Sequence, residues 1–301
     1  MALFREADNH LNVTIIDTKG SFDTTMEALK KQPVPKVIVG PVFSTALDAA
    51  ALWASQHRIP VISFSNNTGK ASPGVFIMGI APSEEIQQMV KFVTKRKMER
   101  FVAILPKGDY GTIVKNAILE ATKAYGGNLV DVYFYGPKLE EVKAVVSDLK
   151  KKTVDAIFIP EGGRSLYEFS TALSAEKISG KILGTSQWQP KDIHVWSQLS
   201  GAWYTQAYSD KKQVFSEKYF ELYKSYPESI AFMAYDAIAM VATLKKMNTH
   251  DDNLTIHNFL LPHGFQGFGG VFRLTQNGSV LRTLSILQVQ NGASSLVGKA
   301  D

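Results

Sequence analysis

The chain alternates short, continuous apolar runs with longer stretches in which apolar residues recur every three or four positions. The first pattern predicts buried strands and the second predicts amphipathic helices. The stretch 36–80 organises the rest. Lys36–Val39 predicts a strand that stops at Gly40-Pro41, and Ser44 precedes a helix with apolar Leu47, Ala50, Ala51 and Ala54. Ile59–Ser63 predicts the next strand, which runs into the polar loop Ser65-Asn66-Asn67-Thr68-Gly69, and Val75–Met78 is a further apolar run. Two strand ends thus deliver hydroxyl and amide side chains to one sheet edge. In open α/β sheets ligands bind outside the carboxyl ends of the strands. Ser44, at a helix start, adds backbone N–H groups that favour an anion.

Upstream, Ala2–Asn9 reads as the back end of a helix, Asn12–Asp17 as a strand and Thr24–Lys31 as a helix. A parallel sheet entered in mid-helix reads as lacking its first strand. Downstream, Pro82 and a capping Ser83 open a helix, Ser83–Lys95, with Ile86, Met89, Val90 and Val93 on one face. Strands are then predicted at Phe101–Leu105, Leu129–Tyr133, Asp155–Ile159, Lys181–Gly184 and Ala202–Gln206. Helices separate them: one from the Lys107–Gly111 loop to Gly126-Gly127, then Leu139–Lys151 and Arg164–Ala175. Such alternation indicates parallel βαβ units and an α/β fold. The pattern then changes. Lys212–Tyr226 and Ile230–Met247 are successive helices, followed by glycine-rich Gly264–Gly270. Two strand-like runs, Val271–Leu274 and Val280–Gln290, flank Asn277-Gly278, a strong hairpin signal.

The 301 residues suffice for two domains of ordinary size, and 45% apolar with 20% charged residues is the composition of a soluble globular protein. The net charge of +5 comes from scattered Lys and Arg. The densest run, Lys95-Arg96-Lys97 with Arg100, falls where a helix ends and complements its dipole. No basic stripe with interleaved aromatics points to nucleic acid. The absence of cysteine removes disulfide and thiolate chemistry. No apolar run reaches the ~20 residues of a membrane span. Met1–Glu6 lacks the basic start and apolar core of a signal peptide, so a signal would lie ahead of it.

Catalytic patterns are missing. The six histidines, His10, His57, His194, His250, His257 and His263, form no HExxH pattern, and the spacing of His257 and His263 favours surface or core roles over a metal. There is no phosphate-loop signature, no dinucleotide fingerprint and no nucleophile elbow. Gly267-Phe268-Gly269-Gly270 has the composition of a phosphate loop with no helix after it. Glu140-Glu141 and Asp251-Asp252 are adjacent pairs on solvent-facing segments. The sequence therefore predicts a protein that is not an enzyme and needs no cofactor. Aromatic residues are the better lead: Tyr110, Trp188, Trp203, Tyr204 and Tyr235 fall near strand ends, loops or helix starts. There they could wall a ligand cleft. For Tyr110 and Trp188 that reading balances one of domain-boundary packing, whereas packing is favoured for Trp203 and Tyr235.

VIVGPVFST, IPVISFSNN, the Asp109-Tyr110-Gly111 turn and Ala234-Tyr235-Asp236-Ala237 together resemble the type I periplasmic binding-protein superfamily, the group of the leucine/isoleucine/valine-binding protein. That resemblance implies a two-lobed α/β fold, each lobe a parallel sheet flanked by helices, with three crossovers and the ligand in the interlobe cleft. Here the crossovers would fall near Pro82, Ala207 and Thr283, giving 1–82 with 208–282 and 83–207 with 283–301. A closer resemblance is to the penicillin-binding protein activator lipoproteins. It is carried by Phe64-Ser65-Asn66, Pro73–Phe76, Leu183-Gly184-Thr185 with Trp188, Gly201–Tyr204 and GFQGFGGVFRLTQNGSVLRTLSILQV. It implies a periplasmic, lipid-anchored protein whose anchor cysteine lies upstream, acting in peptidoglycan assembly by contact with a synthase. The alternative is a receptor passing an amino-acid-like solute to the membrane subunits of an ABC importer.

The resemblance also implies site residues. Ser44 and Thr45, with Ser65, Asn66 and Asn67, would hold a ligand carboxylate from lobe one. Tyr110, Glu161, Gln187 and Trp188 would face them from lobe two. Where the leucine-binding branch has an acidic residue for the ligand ammonium, this chain has Thr185-Ser186-Gln187-Trp188, and Glu161 is the nearest substitute. A buried ammonium without a counter-charge is costly. The expected ligand is anionic or peptide-like rather than leucine, isoleucine or valine.

Overall fold

The computed structural model describes residues 11–136, 139–188, 190–207, 211–247, 254–282 and 284–299. Contacts divide the chain into two units: Met1–Ala81 with Tyr208–Arg282, and Pro82–Ala207 with Thr283–Asp301. The first segment of unit one supplies α1 (Phe22–Lys30), β1 (Ile38–Val39), α2 (Ser44–His57), β2 (Val61–Ser63) and β3 (Val75–Ile77). Unit two follows with α3 (Pro82–Thr94), β4 (Arg100–Pro106), α4 (Asp109–Tyr125), β5 (Asn128–Tyr135), α5 (Leu139–Leu149) and β6 (Ala156–Phe158). It continues through α6 (Gly163–Ala175), β7 (Lys181–Gly184), α7 (Pro190–Ile193) and β8 (Trp203–Gln206). The chain returns to unit one for α8 (Lys211–Tyr223), α9 (Ser229–Met247), β9 (Phe265–Gly267), β10 (Gly270–Leu274) and β11 (Val280–Arg282). It ends in unit two with β12 (Ser285–Gln290) and β13 (Ala293–Lys299).

Unit one has a parallel sheet ordered β1-β2-β3 and a separate antiparallel sheet ordered β11-β10-β9. A single parallel bridge between Ile77 and Ser279 joins them. One apolar cluster packs α2 on the parallel sheet through Leu47, Ala50, Trp53 and Ala54. A second joins Ile62, Phe76 and Met78 to α9 through Ala237, Met240, Val241 and Leu244. Helix ends follow local chemistry. Ser21 caps α1 by accepting from the Thr24 N–H, and Arg58, in the left-handed region, closes α2.

Unit two is built on a seven-stranded sheet ordered β13-β12-β8-β7-β6-β4-β5. Its parallel core, β5-β4-β6-β7-β8, is extended by antiparallel β12 and β13. Phe101–Leu105 of β4 is buried throughout, as an interior parallel strand covered on both faces must be. The Ile86, Met89, Val90 and Val93 face of α3 packs in the same core as Val114, Ala117, Ile118 and Ala121 of α4.

Four expectations change here. Asn12–Asp17 forms no strand and pairs with none of the described strands. The run Val280–Gln290 is two strands, β11 in unit one and β12 in unit two. Ser83 does not cap its helix, which starts at Pro82, a residue suited to a first turn because it has no N–H to leave unpaired. The sheets are also not all parallel, since both units carry antiparallel strands. The hairpin at Asn277-Gly278 joins β10 to β11, with Leu274 opposite Val280. Ala2–Asn9, His10, His250, Asp251-Asp252 and Thr283 lie outside the described residues.

Candidate functional site

Each unit presents polar side chains at the carboxyl ends of its parallel strands. In unit one, α2 begins at Ser44 and no side chain caps it. Its first-turn N–H groups therefore keep the partial positive charge of an uncapped helix start. The Ser44 and Ser65 hydroxyls stand 3.2 Å apart. Ser65, at 2% exposure, is fixed from below. Its N–H donates to Ser63 Oγ at 3.1 Å, the Ser63 hydroxyl donates to the Pro41 carbonyl at 2.8 Å, and Ser65 Oγ accepts from the Asn67 N–H at 3.2 Å. Asn66 and Asn67 are exposed beside it. Lys70 donates to the Ser44 carbonyl at 3.3 Å and pairs with Asp48, adding a neutralised cation at the rim. The Thr45 hydroxyl is already committed to the Gly20 carbonyl at 2.7 Å. Thr45 thus ties α2 to the turn before α1.

In unit two the corresponding edge is more acidic than its sequence suggests. Glu161, after β6, accepts from the Tyr135 hydroxyl at the end of β5. Burial, and then that bond, hold the Tyr135 phenol well above its ordinary pKa. Tyr110, in the first turn of α4, has an enclosed hydroxyl that makes no hydrogen bond among the described residues. Thr185 lies beside it, near enough to draw the Tyr110 pKa slightly back down, and its own hydroxyl donates to the Pro160 carbonyl at 2.7 Å. Burial, and then the Glu85 carboxylate, raise the Tyr110 pKa, so the phenol stays protonated and remains a donor. Gln187 is exposed, and its N–H reaches Thr185 Oγ1 at 3.3 Å.

Trp188 does not wall this edge. It is completely buried, its indole N–H donates to the Ile159 carbonyl at 2.9 Å, and its ring stacks on Tyr204. Gly184 makes room for it: a Cβ at that position would sit 2.0 Å from the indole Cε2. A large ring over a glycine strand end is a packing solution, and from sequence it looks the same as a ligand platform. Trp203 and Tyr204 are likewise core residues. Tyr235 packs against Phe215 and Phe268 in unit one.

The residue missed from the sequence is Glu85. It projects from the first turn of α3 at 3% exposure. One carboxylate oxygen accepts from the Ser186 N–H at 2.7 Å and from the Thr205 hydroxyl at 2.8 Å. Burial pushes its pKa up to about 7, against these stabilising bonds. An acidic pair in the first turn of a helix is ordinary dipole chemistry, and nothing in Glu84-Glu85 distinguishes the buried member. The glycine run 267–270 also has a structural account. Asp236 of α9 accepts from the Phe268 and Gly269 N–H groups at 2.8 and 3.4 Å, and a Cβ on Gly267 would lie 2.2 Å from Asp236 Oδ2. Among the described residues, no group of three or more acidic or histidine side chains could hold a metal, and no helix is long and apolar enough to cross a membrane.

Each of the two α/β units presents polar residues at the carboxyl ends of its parallel strands, where open α/β sheets place their ligands. The chain belongs to the periplasmic binding protein family, whose model matches residues 8–294. The fold is that of the leucine-binding-protein-like, type I members. A leucine-binding protein from Thermotoga maritima superposes with a TM-score of 0.75 at 19% identity, over 99% of this chain and 91% of that one. A putative branched-chain amino acid ABC transporter protein from Rhodospirillum rubrum gives 0.83 at 19% identity, over 95% and 88%. A solute-binding protein of an ABC transporter from R. palustris, in complex with benzoate, gives 0.72 at 17% identity, over 95% and 84%. A curated relative, an uncharacterized protein of Rickettsia prowazekii (strain Madrid E), is 24% identical over 152 residues, 50% of this chain and 40% of that protein. Family membership places the protein in the periplasm or an equivalent extracytoplasmic space.

Proposed function

We propose that this protein is a non-catalytic ligand-binding protein of the cell envelope that binds a small anionic or peptide-like molecule. The observation that carries this reading is the Tyr110 hydroxyl, an enclosed donor at the carboxyl edge of unit two that makes no hydrogen bond of normal geometry among the described residues. Leaving such a donor unsatisfied costs about 1–3 kcal/mol, which a ligand carbonyl or carboxylate would recover. Unit one supports the same class, because Ser44, Ser65, Asn66, Asn67 and an uncapped helix start suit an acceptor or an anion. A ligand ammonium would meet carboxylates that already accept hydrogen bonds from their own neighbours. Glu85 is buried and committed to Ser186 and Thr205, and Glu161 already accepts from Tyr135.

In this reading the bound protein acts by contact on a peptidoglycan synthase, in the manner of the penicillin-binding protein activators. The motif run from Phe64-Ser65-Asn66 to the GFQGFGGVF segment supports that role. A lipid-anchored precursor, with a signal and cysteine encoded upstream, belongs to the same proposal, and the gene sequence ahead of Met1 checks it. The second reading is a receptor for an ABC importer, favoured by the likeness to the ABC-transporter proteins above. Native mass spectrometry of freshly purified protein tests the shared core. A bound small acid or short peptide that leaves on denaturation is the expected result. A bare chain mass in every preparation, with no gain on adding envelope extract, contradicts it.

A further inference from the structure

A cavity lies in unit two, at the opposite edge of the sheet from Tyr110 and Glu161. It is an open depression of about 500 Å³ near the amino ends of β6 and β7, within the size range of small-molecule sites. Its apolar lining comes from Ile157, Leu173, Ile182 and Ala202, and Ser174 and Ser200 bring hydroxyl groups. Two lysines, Lys177 and Lys181, border it. Lys181 is half-buried; its ammonium donates to the Gly201 carbonyl at 3.0 Å and lies 4.7 Å from the centre of the Trp203 ring. Neither lysine has a carboxylate within ion-pair distance among the described residues. The acidic residues of the neighbourhood are engaged elsewhere, Asp155 by Arg100 and Glu176 by Lys150. The end of α6 does not need the lysines either, since its last carbonyls accept from the Glu176, Lys177 and Ile178 N–H groups.

A partly desolvated ammonium beside a cavity of mixed polar and aliphatic lining, with no counter-charge among the described residues, is an unbalanced arrangement. We propose that this cavity is a second binding site, for a small organic carboxylate whose charge meets Lys181 and Lys177 and whose apolar body fills the aliphatic lining. The burial that lowers the Lys181 pKa is consistent with this, because an arriving carboxylate restores the lost charge stabilisation. The site is independent of the ligand edge proposed above and stands or falls separately from it.

The test is an amide NMR titration of the full chain with butanoate, with butan-1-ol as the uncharged isostere and sulfate as the inorganic anion. Butanoate is expected to give saturable shifts at Gly180, Gly201 and Ala202. Butan-1-ol and sulfate are expected to bind about tenfold more weakly or worse, as loss of one charge-assisted bond or of the apolar contact implies. Lys181→Met should weaken butanoate by a similar factor. Lys177→Gln, at an exposed rim position, should weaken it less and covers the case in which the first variant folds poorly. The proposal is overturned by any of three results: no saturable butanoate shift at these amides, equal affinity for butan-1-ol or sulfate, or unchanged butanoate affinity in both variants.

Discussion

Glu85 is a carboxyl group held where water does not reach. Its pKa of about 7 in the folded chain stands above the 4.5 of an unperturbed glutamate. Between those values the folded state holds a proton that the unfolded state has lost, so stability falls as pH rises through the window and stays low above it. Glu85→Gln keeps an oxygen to accept from Ser186 and Thr205 and removes the ionisation. The fall in melting temperature between about pH 5 and about pH 8 should be shallower in the variant, and the variant should be the more stable of the two at the upper pH. Parallel profiles would mean that Glu85 is not ionising inside the fold. Trp188 makes the complementary point for an apolar group. It fills space above Gly184, so Trp188→Ala should destabilise by about 3–5 kcal/mol, read by chemical denaturation. Unchanged stability would mean that the indole is not core. Sequence patterns could not separate these roles. A tryptophan after a strand end and a glutamate in a first turn have the same spelling whether buried or exposed, and burial is decided by Gly184, Ser186 and Thr205, distant in sequence from Glu85 or chosen for reasons of space.

At the level of elements, the legible features were those set by local periodicity. The helices α2, α3, α4 and α9, the buried strand β4 and the β10–β11 hairpin all follow from spacing and turn chemistry. What stayed hidden were features that depend on partners. Asn12–Asp17 has strand composition and no ladder, and the apolar run from Val280 contains the point where the chain leaves one unit for the other. The loop between β9 and β10 owes its glycines to Asp236, which reaches it from α9. Gly267→Ala should therefore displace Asp236 and destabilise unit one. Asp236→Ala, which leaves the Phe268 and Gly269 N–H groups without their acceptor, should do so by about 1–3 kcal/mol. Adding the two substitutions together should cost less than their sum, because the first already removes part of what the second deletes. Full additivity in a double-mutant cycle would disconnect the glycine from the aspartate.

For the whole molecule, two units of separate core each supply a polar strand edge, and the family assignment makes those edges the natural place for a ligand. The chemistry of the edges sets the expected selectivity. Ser44 at the start of α2, with Ser65 from the loop after β2 beside it, suits a carboxylate, and the Tyr110 phenol suits an acceptor. At the edge of unit two, Glu161 accepts from Tyr135 and Glu85 from Ser186 and Thr205. The most direct measurement is titration calorimetry with leucine and with 4-methylpentanoate, which differ by the ammonium group, on the wild type and on Tyr110→Phe. The account predicts tighter binding of 4-methylpentanoate than of leucine. It also predicts about tenfold weaker binding in Tyr110→Phe, with little loss of thermal stability, since the hydroxyl makes no hydrogen bond of normal geometry among the described residues. Micromolar binding of leucine together with weaker or absent binding of 4-methylpentanoate would contradict it.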